Sequence, residues 1–334
     1  MSLPPESRCR LGPDLEICRI LNGMWQVSGA HGAIDPERAV GQMLRYHEIG
    51  FTSWDLADHY GPAEDFVGEF RRRLGPERSA ETTAFTKWVP YPGRMSREVV
   101  EAAVDLSRRR MAADCLDLLQ FHWWEYGDER YFDALAHLAE LAAAGKIRHL
   151  GLTNFDTERL AAIAARGIRI VSNQVQYSLV DRRPEQRMAA WCEAEGVRLL
   201  AYGTLLGGLL SEKYLGRAEP GRAELATASL QKYKRMIDTW GGWALFQELL
   251  AALKSIADKH RVAIANVGIR YVLDQRAVAG VIVGARLGIA EHIEQNARSF
   301  GFALDAEDLA RIEAVAARSH DLMRAIGDCG DEYR

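Results

Sequence analysis

The feature that most limits the fold of this chain is a beat. Short apolar, β-branched runs alternate with helical patterns along nearly the whole sequence. The first strand-like run ends at Gly23-Met24-Trp25, and others cover 51–55, 82–87, 116–121, 147–153, 168–175, 197–203 and 280–285. Between them the helical signals are local and specific. Asp35 stands as an N-cap with Pro36 at the first helical position. Further helices are expected near 63–74, 156–166 and 184–195, and over SREVVEAAVDLSRRRM and YFDALAHLAELAAAGK. In SREVVEAAVDLSRRRM the residues Val99, Val100, Ala103 and Leu106 are read as one face. Eight strand–helix units imply a parallel sheet, and eight is the number that closes into a (β/α)8 barrel. An open doubly wound sheet is the alternative, but no GxGxxG follows an early strand.

Outside the beat lie three pieces. A Gly-Pro-Asp turn at 12–14 predicts an N-terminal hairpin between CRL and LEICRI. Residues 214–242 interrupt the alternation, and an insertion of that size on a barrel more often shapes an active-site rim than forms a domain. Trp240 and Trp243, at its far end, are expected to pack within loops. The tail 319–334 carries no chemistry that its residues declare, so disorder or surface docking is its default. Residues 1–334 are thus expected to form one α/β barrel domain.

Charge and cysteines narrow the function. A net charge of −4 gives no electrostatic footprint for nucleic acid. The basic runs Arg71–Arg73 and Arg108–Arg110 fall at the ends of helical patterns, where they complement the helix dipole. Five scattered cysteines without a CxxC pair argue against a disulfide framework or a thiolate zinc site, and for a reducing compartment. With no signal-like N-terminus and no run long enough to span a bilayer, a cytoplasmic protein without membrane partners is expected.

Four polar residues sit at or just beyond strand ends: Asp55, Tyr60, Lys87 and His122. In a barrel, catalytic side chains project from the C-terminal strand ends and the loops after them. Taken singly, each has a bland reading: a structural ion pair for Asp55 or Lys87, turn chemistry for Tyr60, a satisfied core histidine for His122. Together they are the groups needed to protonate a carbonyl oxygen while a hydride arrives from elsewhere. A phenol near pKa 10 is a poor acid at neutral pH. A neighbouring ammonium stabilises its phenolate, and a carboxylate keeps that ammonium charged and oriented. An imidazole can donate a second hydrogen bond to the carbonyl oxygen. Trp25, Trp88, Trp123 and Trp124 follow strands one, three and four, and are candidates, with Tyr60 and His122, to line a substrate mouth; Trp25 and Trp124 lead.

The motifs around these residues resemble those of the aldo-keto reductase family, nearest the bacterial and channel β-subunit-like branches. DLADHYG is similar to the family's aspartate, two small residues and Tyr-Gly, with Leu56 where threonine is usual. TK at 86–87, the histidine after LDLLQF, GKIRHLGLTNF at 145–155 (Thr153 replacing serine), SNQVQYSLVDRRPE at 172–185 and AYGTLLGGLLSEKY at 201–214 match further segments in order. The resemblance implies a barrel reducing aldehydes or ketones with NADPH, NADH being the alternative, with Tyr60 as proton donor. It also implies the cofactor contacts. Thr153, Asn154 and Gln174 would hold the carboxamide, Tyr202 would stack on the ring, and Gly23, Met24, Trp25 and Asp55 would lie beside it. Gly203, Thr204, Leu205, Leu206, Gly208, Leu210 and Lys213 would follow the pyrophosphate. VGARLGIAEHIEQN (283–296) resembles the last cofactor segment, so Gly284, Ala285, Arg286, His292, Gln295 and Asn296 would meet the adenosine, with Arg286 on a 2′-phosphate. His292 and Gln295 stand where many relatives carry arginine and glutamate.

Other functions have sequence-level tests. A metal-dependent hydrolase built on His59, His122 and Asp55 lacks an HxH or HExxH pair. A Schiff-base lyase would use Lys87 as nucleophile. A cofactor-binding sensor would bind nucleotide with little turnover, and a dehydrogenase acting on sugars or alcohols would run the same chemistry in reverse. In each enzyme reading the partner is a small molecule and no metal is assigned.

Overall fold

The structure, a computed structural model, describes residues 2–29 and 34–333. A hairpin, β1 (Arg8–Arg10) and β2 (Glu16–Cys18), precedes eight strands: β3 (Ile20–Gly23), β4 (Ser53–Asp55), β5 (Thr83–Trp88), β6 (Leu116–His122), β7 (Ile147–Thr153), β8 (Ser172–Gln176), β9 (Arg198–Tyr202) and β10 (Val278–Gly284). These eight pair in parallel in chain order, and β10 returns to β3 to close the barrel. The (β/α)8 expectation and the hairpin are both met.

Helices α1 (Pro36–Ile49), α2 (Ala63–Ser79), α3 (Arg97–Arg110), α4 (Tyr131–Ala143), α5 (Thr157–Ala165) and α6 (Met188–Glu195) follow the strands. The Asp35 carboxylate accepts from Arg38 N, so the cap read from the sequence forms. Helix α2 runs past the expected end, but Gly75 at φ 76° breaks its geometry, leaving Arg71–Arg73 in the last turn before the kink. The face of α3 differs from expectation. Val100 and Val104 are buried, whereas Val99 and Leu106 are exposed.

Inside the barrel, Leu21, Phe85, Leu118, Leu200 and Ala279 meet Leu11, Leu15 and Ile17 of the hairpin. The hairpin therefore plugs the N-terminal mouth, and the buried polar side chains gather at the opposite one. Alternation along each strand sends neighbours outward, so Leu119, Phe121 and Leu152 join the larger cluster under the helices.

The 214–242 stretch is ordered by its own helix, α7 (Ala228–Trp240), which leads into α8 (Gly242–His260) and α9 (Ile264–Leu273). Thr227 caps α7 through Leu230 N, and Tyr233, Met236, Ile237 and Trp240 are buried beneath it. Trp240 and Trp243 thus pack from helices and not, as expected, from loops. Helices α10 (Ile293–Ala297), α11 (Ala306–Ala316) and α12 (Leu322–Ile326) complete the described chain. The tail docks: His320 N donates to Trp240 O, and Asp328 takes the Thr157 amide at 3.0 Å. Among the described residues no helix is long and apolar enough to cross a membrane.

Candidate active site

Asp55 ends β4, Lys87 lies one residue before the end of β5, and His122 ends β6. Parallel pairing brings these strands side by side, with Asp55 opposite Phe85 and Lys87 opposite Gln120. The Lys87 ammonium donates to both Asp55 oxygens at 2.6 Å and to Leu56 O at 2.9 Å. Both side chains are almost fully buried. Burial pushes the Lys87 ammonium below the usual lysine range, and the Asp55 carboxylate opposes that push. Two amides complete the carboxylate's shell: Gln174 Nε2 donates to it at 2.8 and 3.2 Å, and Gln120 Nε2 at 3.2 Å. The pair is oriented from three strands at once.

Tyr60, on the loop after β4, is half-buried, with the Lys87 ammonium 5.3 Å from its ring centroid. Trp25 packs edge-on against that ring at 5.0 Å, and His59 at 4.8 Å. His59 itself bonds Asp58. The His122 ring, buried, lies 4.3 Å from Trp124. The phenol, ammonium, carboxylate and imidazole thus gather at one barrel mouth.

The four tryptophans divide. Trp25 and Trp124 are 37% and 42% exposed beside Tyr60 and His122. Trp123 is fully buried, and its indole donates to Glu125 O and Asp128 O. Trp88 is 6% exposed and packs on Phe121 in the helix-facing cluster. The expectation that Trp88 and Trp123 line the mouth is therefore corrected: alternation along β5 turns Trp88, and the loop after β6 turns Trp123, into the cluster under the helices.

Beyond the tetrad, Thr153 ends β7, Asn154 follows at φ 59°, and Tyr202 ends β9. The Thr153 hydroxyl is buried with no hydrogen-bond partner among the described residues. Asn154 Oδ1 accepts from the Tyr202 hydroxyl at 2.9 Å. An orphaned buried hydroxyl beside an amide and an aromatic ring fits an amide-bearing planar ring. The Gln174 Nε2 donors serve Asp55 and Gln120 Oε1.

Next along the rim, Gly203 takes φ 72°, and a Cβ there would lie 2.5 Å from the Tyr233 hydroxyl, so α7 packs against the loop only because glycine is present. Thr204 donates to Tyr177 O, Leu206 and Leu210 are buried, Leu205 is half-buried, and Gly208 borders open space. The Lys213 ammonium lies 5.1 Å over the Tyr214 ring. On the other side, Ala285 N bonds Gly23 O and Met24 N bonds Asp55 O, tying β10, β3 and β4 together at this mouth; Gly284 ends β10. A cleft of about 490 Å³ opens between α9 and α10, lined by Asn266, His292, Gln295 and Arg298 among others. Arg286 is exposed in the loop after β10, and Asn296 is buried on α10.

Sequence reasoning missed Gln120, Asn266 and Arg298. Gln120 was legible as one of two polar residues, with Asp117, within LDLLQF. Asn266 and Arg298 reach the cleft only because α9 packs beside α10, with Asn266 donating to Gln295 O.

The comparisons with known proteins agree with this geometry. A model of the aldo/keto reductase family matches residues 19–317. The flagellar radial spoke protein 5 of Chlamydomonas reinhardtii is 29% identical over 257 residues, which are 65% of this chain but about half, 49%, of that protein. The protein tas of Escherichia coli is 31% identical over 307 residues, covering 80% of this chain and 85% of its own. Among solved structures, a glycerol dehydrogenase of Gluconobacter oxydans superposes with a TM-score of 0.78 at 22% identity, over 97% of this chain and 98% of that one. The chain belongs to the aldo/keto reductase family and is an oxidoreductase.

Proposed function

We infer that the chain reduces small aldehydes or ketones to alcohols with NADPH, and that Tyr60 delivers the proton. The observation that carries this reading is the buried Lys87–Asp55 pair, held at 2.6 Å with its ammonium 5.3 Å from the Tyr60 ring. A fixed positive charge beside a phenol favours its conjugate base, so Tyr60 gives up its proton more readily than a free tyrosine. Asp55, bonded by Lys87, Gln174 and Gln120, keeps that charge from wandering. His122, at the same mouth, positions the carbonyl oxygen and donates to it as negative charge develops. Trp25 and Trp124 flank the entrance and present apolar faces to the substrate's remainder. Lys87 is thereby committed to an ion pair, which disfavours the lyase reading that needs a neutral amine.

Thr153 and Asn154 would hold the nicotinamide carboxamide, Tyr202 would back the ring, and the loop from Gly203 to Lys213 would follow the pyrophosphate. Bound there, the reduced cofactor supplies the hydride. Asn266, His292, Gln295 and Asn296 would surround the adenosine, and Arg286 with Arg298 would meet a 2′-phosphate. Two guanidiniums at that end favour NADPH over NADH.

The test is a panel of aldehydes, ketones and sugars assayed by loss of NADPH absorbance with the purified protein. Turnover of at least one carbonyl is expected. Tight NADPH binding with no turnover across the panel would favour a sensor, and no nucleotide binding would overturn the reading.

A further inference from the structure

We propose that the C-terminal segment 327–333 occupies the nicotinamide end of the dinucleotide site in the cofactor-free protein, so that cofactor binding must displace it. The proposal rests on the assignment of Asn154 and Tyr202 to the nicotinamide.

The segment is held in two stages. Its inner part is fixed. The fully buried Arg183 guanidinium donates to Gly327 O at 3.3 Å and Asp328 O at 3.0 Å while paired with Asp181 at 2.8 Å. Asp328 caps α5 through the Thr157 amide, and Cys329 is completely buried. Beyond Cys329 the chain turns at Gly330, whose φ of 97° lies in the region that favours glycine. The outer part is held by two carboxylates: Asp331 Oδ2 accepts from Asp328 N at 2.7 Å, and the buried Glu332 side chain makes the remaining contacts. One Glu332 oxygen accepts from Arg183 at 2.9 Å and from Gly330 N at 2.9 Å. The other accepts from the Tyr202 hydroxyl at 3.3 Å.

That contact falls on groups the cofactor needs. The single Tyr202 hydroxyl proton is shared between Asn154 Oδ1 and Glu332. The ammonium of Lys232, reaching over from α7, lies 5.1 Å from the centroid of the Tyr202 ring. Lys232 thus sits over the ring whose hydroxyl Glu332 bonds, and burial pushes its ammonium down to about 8 against the opposing pull of Glu332 and Asp181. A ring stacking on Tyr202, with its carboxamide on Asn154, competes for the same groups. The added carboxylate also repels the dinucleotide's phosphates. Because Gly330 separates the outer contact from the Cys329 anchor, release of Glu332 leaves the inner clamp of Arg183 intact.

The test compares the full chain with its Glu332→Gln variant, which keeps side-chain shape and removes the charge. NADPH affinity, read by fluorescence titration, is expected to tighten about tenfold, as the loss of one charge-assisted contact from a competing segment implies. Hydrogen exchange on the unaltered chain supplies an independent readout. Adding NADPH should speed exchange at the amides of 331–333 while that of Cys329 stays slow. Unchanged or weaker affinity in E332Q, or slower exchange at 331–333 with NADPH, would overturn the proposal and make the segment a wall that closes over the cofactor. If neither protein binds NADPH, the cofactor assignment itself fails and this inference with it.

Discussion

The tetrad corner and the cleft between α9 and α10 are built on opposite principles. Around Asp55 the groups sit on adjacent strands, are buried, and are bonded to one another, with Lys87, Gln174 and Gln120 converging on one carboxylate. Around the cleft between α9 and α10, His292, Gln295 and Arg298 are all exposed and sit on or beside the five-residue helix α10. Strand register fixes the first set to within a bond length, whereas solvent surrounds the second. Chemistry that needs a shifted acidity is placed where the dielectric is low, and recognition that needs only charge is left at the surface.

The largest effect should come from breaking the rigid corner. Lys87→Met removes the charge beside Tyr60, so single-turnover reduction should fall by about 10²–10⁴. It also leaves a buried carboxylate without its cation, and a denaturant titration should show a loss of about 3–5 kcal/mol. Unchanged stability would mean that Gln174 and Gln120 suffice to hold Asp55.

Within the mouth, two consecutive residues separate packing from recognition. Trp123→Ala should cost about 3–5 kcal/mol in the same titration because the indole is fully buried. Trp124→Ala should leave stability nearly unchanged and raise KM for aromatic aldehydes; equal stability losses in the two variants would contradict the division. At the soft end, Arg286→Ala should weaken NADPH about tenfold, in line with losing a charge-assisted contact, with little effect on NADH. Equal losses for both nucleotides would remove the 2′-phosphate from Arg286.

The smallest expected effect is one of pH. Burial raises Glu332, but Arg183 and Lys232 outweigh it and hold the carboxyl below its usual range. A depressed carboxylate contributes stability above its unfolded pKa of about 4.3 and loses it as pH falls through the lower folded value. Amide protection at 331–333 should therefore be the same at pH 7 and pH 5, and fall only in stronger acid. Loss of protection by pH 5 would show that Arg183 does not hold the segment.

The same contrast governs what could be read in the sequence. Alternation and strand ends are local, so the barrel and the positions of Asp55, Lys87 and His122 were legible from short windows. The N-cap at Asp35 was legible for the same reason. Trp124 was ranked ahead of Trp123, but the full burial of Trp123 was not legible, because the strand stops at His122 and the direction of the next residues depends on how the loop turns back. The docked tail was hidden for a different reason: Arg183 and Glu332 lie 149 residues apart, and nothing near either announces the other. Gln120 stood in plain view as a polar residue in an apolar strand, but its role appears only once Gln174 is seen bonding the same carboxylate.

In the proposed reaction the tetrad supplies the proton and does not hold the cofactor. Tyr60→Phe tests it most directly, with NADPH affinity by fluorescence and carbonyl reduction by single turnover measured on the same preparation. Affinity should stay within about twofold, while reduction falls by at least about a hundredfold, the typical contribution of a positioned general acid. Undiminished reduction in the phenylalanine variant would contradict the account.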